Sequence, residues 1–167
     1  MDLGKFHSTT LGSLLPSEVI DEIRNFLEGD PDAEYSLVIG TDSQEKIKEA
    51  KIGSLIVVTA IVVHRKGFGG RYFWKKKILP KTHTLREKIY TETLTSLSFA
   101  EQFVPLLKKS LNGNMPKYHL EIHVDVGEHG ETRAMIKEVV GMVTGNGFVA
   151  KTKPEAFGAS YVADKHT

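Results

Sequence analysis

Apolar residues recur along this chain with two periods, and the places where one gives way to the other divide it into elements. Residues 1–15 stand as an N-terminal segment. From Pro16, Val19, Ile20, Ile23, Phe26 and Leu27 fall at helical spacing until Gly29, which predicts an extra N-terminal helix over 16–28. Tyr35 to Thr41, YSLVIGT, is a short apolar run with β-branched residues and predicts a buried strand ending at Asp42. The polar stretch QEKIKEAK then reads as a loop or an extended edge. Gly53 to His64 crowds Ile56, Val57, Val58, Ile61, Val62 and Val63 together and predicts a central strand. Gly67, Gly69 and Gly70 signal a hairpin, from which Arg71 to Leu79 returns as a third strand closed by Pro80.

Between Leu85 and Leu111, Ile89, Leu97, Ala100, Val104, Leu107 and Leu111 recur every three or four residues, the signature of the principal helix, with a kink expected at Pro105. His119 to Val126, HLEIHVDV, alternates and predicts a fourth strand. A helix over Glu131–Thr144, a short strand over Phe148–Lys151 and a last short helix within Ala156–Thr167 complete the chain. This order predicts a single α/β domain over 1–167. Its mixed five-stranded sheet would have the first three strands antiparallel, the last two parallel to the first, and helices on both faces.

Composition narrows the function classes. A chain of 167 residues with 40% apolar and 26% charged residues suits one globular domain. The absence of cysteine excludes disulfides, thiolate metal sites and cysteine nucleophiles. The longest apolar run, Leu55 to Val63, falls far short of the roughly 18 residues of a membrane span. Asp2, Lys5 and His7 with no apolar run behind them do not read as a signal peptide, so a soluble cytoplasmic protein is expected. The net charge of +1 conceals an asymmetry: Arg65 to Lys88 carries a local +8 and the remainder −7. That pattern points to a polyanionic partner, set against the plainer reading of lysines facing water.

Polar residues at the carboxyl ends of strands in an α/β layout are the ones presented to a ligand. Asp42 and Asp125 interrupt apolar runs at such ends. On the principal helix only Glu92 flanks the apolar stripe; Glu87 and Glu101 point elsewhere. Asp164 sits beside Ala159, Ser160 and Ala163, small residues that suit close packing of a terminal helix. Four acids gathered together would repel one another without cations, and oxygen-only donors favour Mg²⁺ or Mn²⁺. Two such ions about 4 Å apart form a clamp for phosphodiester hydrolysis. The basic segment would hold the nucleic-acid backbone through Arg71, Lys75, Lys77 and Lys81, with Glu128 and His129 in a glycine-flanked loop near Asp125. In RYFWKKK, alternation puts Arg71, Phe73, Lys75 and Lys77 on one face and Tyr72, Trp74, Lys76 and Ile78 on the other. His166 reads either as a mobile proton shuttle or as a tail residue.

The strings IGTDSQ, HVDVGEHGETRAMIKEVVGMV, KPEAFGAS and VADKHT, in this order over about residues 16–167, resemble the YkuK-like bacterial family of predicted RNase H-related proteins, with a ribonuclease H-like fold. The resemblance implies a divalent-metal-dependent endonuclease acting on RNA, an RNA–DNA hybrid or structured DNA. It implies that Asp42 and Asp125 ligate metal, that Glu92 bridges or positions it, and that Asp164 completes the set. The alternative from the residues is a non-catalytic nucleic-acid or protein-binding module on the same fold. The polar insertion around Glu45 to Lys51 departs from the usual ribonuclease H pattern.

Overall fold

The structure, a computed structural model, describes residues 3–45, 53–111, 117–156 and 165–166. Its strands are β1 (Phe6–Ser8), β2 (Gly12–Leu14), β3 (Tyr35–Glu45), β4 (Ser54–Arg65), β5 (Gly69–Pro80), β6 (Tyr118–His123) and β7 (Val149–Lys151). The helices are α1 (Pro16–Glu28), α2 (Leu85–Ser110) and α3 (Ile136–Gly145), the last preceded by a 3-10 turn at Arg133–Met135. Among the described residues, no helix is long and apolar enough to cross a membrane.

The strands form one mixed sheet in the order β2-β1-β5-β4-β3-β6-β7. β3, β4 and β5 are antiparallel neighbours, while β6 and β7 run parallel to β3. The five expected strands are therefore present in their expected directions, but among the described residues the sheet has seven strands, because the N-terminal segment adds β1 and β2 at the β5 edge. Each of these strands, FHS and GSL, holds a single large apolar residue, so their sequence carried no strand signal. What fixes them is packing: Phe6 is fully buried, its ring 5.7 Å from Phe99 and 6.4 Å from Phe103 of α2.

Both long helices start on side-chain caps. The Glu18 carboxylate accepts the Leu15 N–H at 2.6 Å ahead of α1. At α2 the Thr84 hydroxyl accepts the Glu87 N–H at 3.1 Å, and the Glu87 carboxylate accepts the His83 N–H at 2.7 Å. α2 then continues through Pro105 to Ser110.

Alternation sorts the sheet into two faces. Leu37, Ile39, Ile61, Val63 and Phe73 share one face and form the main core with apolar residues from all three helices. The opposite face carries a smaller cluster of Val38, Val58 and Ala60 flanked by Tyr72 and Trp74. His166, in the described fragment of the C-terminal segment, stacks on the Trp74 ring at 3.7 Å between centroids. Helices on both faces were expected; α1, α2 and α3 lie on one, and on the other the described residues place the helical fragment at Lys165 and His166. The rest of the expected terminal helix lies outside the described residues.

Candidate active site

β3 is flanked by β4 and β6, but the two pairings end at different levels. Pairing with β6 stops at Gly40 opposite His123, whereas pairing with β4 runs on to Glu45 opposite Leu55. Past Gly40, the edge of β3 facing β6 is therefore open. The chain after β6 turns toward the β7 side, where the Val124 N–H donates to the Lys151 carbonyl at 2.9 Å and the Lys153 N–H donates to the Val126 carbonyl at 2.8 Å. The result is a crevice at the carboxyl ends of two parallel strands, the usual place for a ligand in this kind of sheet.

Asp42 lies two residues beyond Gly40 within β3, and Asp125 two residues beyond His123, where β6 ends, so the acids flank the crevice from its two sides. Neither sits where its strand was expected to end. β3 continues three residues past Asp42, because ladder bonds to β4 carry TDSQ as strand rather than turn. β6 ends before Asp125, since Val124 and Val126 are buried but bond to Lys151 at the end of β7 and to Lys153 just after it. Gly127 allows that close approach: a Cβ there would come 3.0 Å from the Lys153 Cβ.

Glu92 reaches the crevice from α2, on the opposite face of β3. Thr41 and Ser43 point at that helix, Thr41 Oγ1 lying 2.7 Å from Ser96 Oγ, and the Ser43 hydroxyl donates to Glu92 Oε1 at 2.6 Å. Alternation places Asp42, between them, on the other face, in the row it shares with Val58 and Lys76 and next to the row of Trp74. The acids thus meet across the open edge of β3.

At their meeting point stands an ammonium. Lys88, one turn before Glu92, holds Nζ 2.9 Å from Glu92 Oε1 and 3.8 Å from Asp42 Oδ1. Burial alone would lower the Lys88 pKa, but Glu92, then Asp42 and Asp125, outweigh it and raise it. Glu92 is only 3% exposed; burial pushes its pKa up to about 6, with Lys88 and the Ser43 hydroxyl pulling the other way. Asp125 is paired separately, with Lys153 Nζ 2.7 Å from its Oδ1 at a more exposed position.

Asp164 lies outside the described residues. Among the described residues, no three His, Cys, Asp or Glu side chains are close enough to form a metal-ligating group. The donor chemistry nevertheless suits a hard cation: every candidate donor is a carboxylate oxygen, and the crevice already seats one positive charge, the Lys88 ammonium, against Asp42 and Glu92.

The basic candidates separate by position. Lys75 and Lys77 line a cavity of about 400 Å³ between β5 and α2, together with Thr59, Thr91, Thr95 and Ser98 and no carboxylate. Lys75 also has a structural task, donating to the Leu3 carbonyl at 2.9 Å with its ammonium over the Phe99 and Phe6 rings. Lys77 is exposed and shares its row with Val57 and Ser43, at the acid end of the sheet. Lys81 is 3.5 Å from Glu45 at the same end. Arg71 is at the other end of β5, its guanidinium over Phe26 of α1. Glu128 and His129 are exposed in the loop after Asp125.

Sequence reasoning passed over three residues here. Lys88 was counted only as one of a basic run, although its spacing of four from Glu92 marks an ion pair on one helix face. Ser43 was readable from alternation as facing the helix if Asp42 did not. His123, buried with Nε2 3.1 Å from Glu121 Oε2 and no hydrogen-bond partner for Nδ1, gave no ligand spacing that would single it out.

The profile of the Ribonuclease H-like family matches residues 18–167, most of the chain. The chain belongs to the ribonuclease H-like family. Within it, this chain is 30% identical over 170 residues to the uncharacterized protein YkuK of Bacillus subtilis (strain 168), covering 97% of this chain and 96% of that protein. The resemblance carried by the sequence motifs is thus borne out, and the mixed sheet with its helices is consistent with the ribonuclease H-like fold. No solved structure matches. Family membership supports a nuclease-like fold and nucleic-acid binding in general terms.

Proposed function

We propose that this protein is a divalent-metal-dependent nuclease that hydrolyses phosphodiester bonds in RNA, an RNA–DNA hybrid or structured DNA. The observation that carries the reading is that Asp42 and Glu92 share one cation position, now held by the Lys88 ammonium, at the carboxyl end of β3, with Asp125 across the same crevice beyond the end of β6. Asp42, Glu92 and Asp125, with Asp164 completing the set, would hold Mg²⁺ or Mn²⁺, two ions in the full site. Bound there, the ions supply a water made nucleophilic at neutral pH and charge neutralisation at the leaving oxygen. The chain's own residues do the rest. Ser43 fixes the Glu92 carboxylate by its hydrogen bond, a support that in metal sites is worth about 10–100-fold in affinity or activity. Lys77 and Lys81 stand at the acid end of the sheet to hold the phosphate backbone, with Lys75 behind them.

A second reading, a non-catalytic binding module on the same fold, is favoured by one observation: Lys88 and Lys153 already neutralise the acids. Labelled RNA, hybrid and branched DNA incubated with Mg²⁺ or Mn²⁺ separate the two. The nuclease reading expects metal-dependent cleavage of at least one polymer, reduced to the metal-free level by Asp42→Asn and by Asp125→Asn. Binding of all polymers with no cleavage under either metal would favour the module.

A further inference from the structure

We propose that Lys88 is the resident counter-ion of the acid crevice: its ammonium holds Asp42 and Glu92 together while no divalent cation is bound, and withdraws to solvent when one enters. The inference rests on the metal-binding reading of this same site.

Three observations carry it. First, Nζ lies 2.9 Å from Glu92 Oε1 and 3.8 Å from Asp42 Oδ1, between the acids proposed to bind metal, so the ammonium and an ion compete for the same oxygens. Second, Lys88 belongs to the first turn of α2, its N–H bonded to the Thr84 carbonyl. A positive side chain is disfavoured at that end of a helix, where the macrodipole is itself positive. The carboxylates, not the helix, therefore hold the ammonium in place. Third, the lysine side chain is 31% exposed whereas Glu92 is buried, so the ammonium has a path to water along its flexible stem without movement of α2 or β3.

The pairing has a chemical purpose. Glu92 and Asp42 carry like charge, and an ammonium seated between them offsets their mutual repulsion. The internal ammonium holds both carboxylates in position before metal arrives, and its displacement is subtracted from the metal's binding free energy. Lys88 then sets the metal concentration at which the site fills. Lys153, on the more exposed Asp125, exerts less of this effect because solvent screens the pair.

Mn²⁺ titrations of the full chain, followed by calorimetry and by the electron paramagnetic resonance signal of free Mn²⁺, test the proposal without recourse to activity. Lys88→Met is expected to bind Mn²⁺ about tenfold tighter than wild type or better, the equivalent of removing one competing charge. Lys88→Arg, which keeps the charge, is expected to stay within about threefold of wild type. Adding Asp42→Asn to Lys88→Met should abolish the gain. Thermal melts check folding: Lys88→Met should melt lower than wild type in chelator and recover with Mn²⁺. If wild type binds Mn²⁺ and Lys88→Met binds no tighter, the counter-ion proposal fails while the metal-binding reading stands. If neither binds Mn²⁺, both fail.

Discussion

Glu92 is the residue on which the energetics of this site turn. Its carboxylate is buried, receives the Ser43 hydroxyl and the Lys88 ammonium, and still has its pKa pushed up to about 6 because burial is the largest influence. The folded chain therefore holds the Glu92 proton more tightly than the unfolded chain does. That contribution to stability is complete below about pH 4.5 and is lost as pH rises through about 6, which leaves a penalty of about 2 kcal/mol at neutral pH. In chelator, Glu92→Gln is thus expected to raise unfolding stability at pH 7–8 by up to about 2 kcal/mol and to change it little at pH 4. Urea unfolding at the two pH values checks this; a destabilised variant at pH 8 would contradict it. At this scale the sequence was partly legible. The helical phase of Glu92 placed it correctly beside the apolar stripe, and the apolar setting of Asp42 and Asp125 marked them as unusual. The face of Asp42 was not legible, because it depends on whether TDSQ turns or stays strand, and ladder bonds to β4 decide that.

Among the elements, β3 does the most to build the site, since its uneven pairing with β4 and β6 opens the crevice. The run of apolar residues in β4 and the glycines of the β4–β5 connection made that hairpin readable, and the helical spacing of α1 and α2 made both helices readable. β1 and β2 were not, as FHS and GSL each hold a single large apolar residue. They still belong to the core: Phe6 is fully buried against Phe99 and Phe103, and Lys75 reaches back to the Leu3 carbonyl. Phe6→Ala should therefore cost about 3–5 kcal/mol, the range for emptying a buried aromatic position. Equilibrium denaturation checks it; a loss below about 1 kcal/mol would show that the N-terminal strands are an appendage to a core that closes without them.

For the whole molecule, the mixed sheet with its helices is consistent with membership of the ribonuclease H-like family over residues 18–167. The charge asymmetry seen in the sequence acquires a location, because Lys77 and Lys81 stand at the same end of the sheet as the acids whereas Arg71 does not. The central claim is that Asp42 of β3, Glu92 of α2 and Asp125 in the segment after β6 serve one cation site. Anomalous diffraction from crystals of the protein soaked in Mn²⁺ measures this most directly. The account expects peaks in the β3–β6 crevice bonded to carboxylate oxygens of both Asp42 and Asp125 at roughly 2.0–2.3 Å, with Lys88 moved away from Glu92. Peaks confined to other acids, or none while Lys88 stays between Asp42 and Glu92 at saturating Mn²⁺, would contradict it.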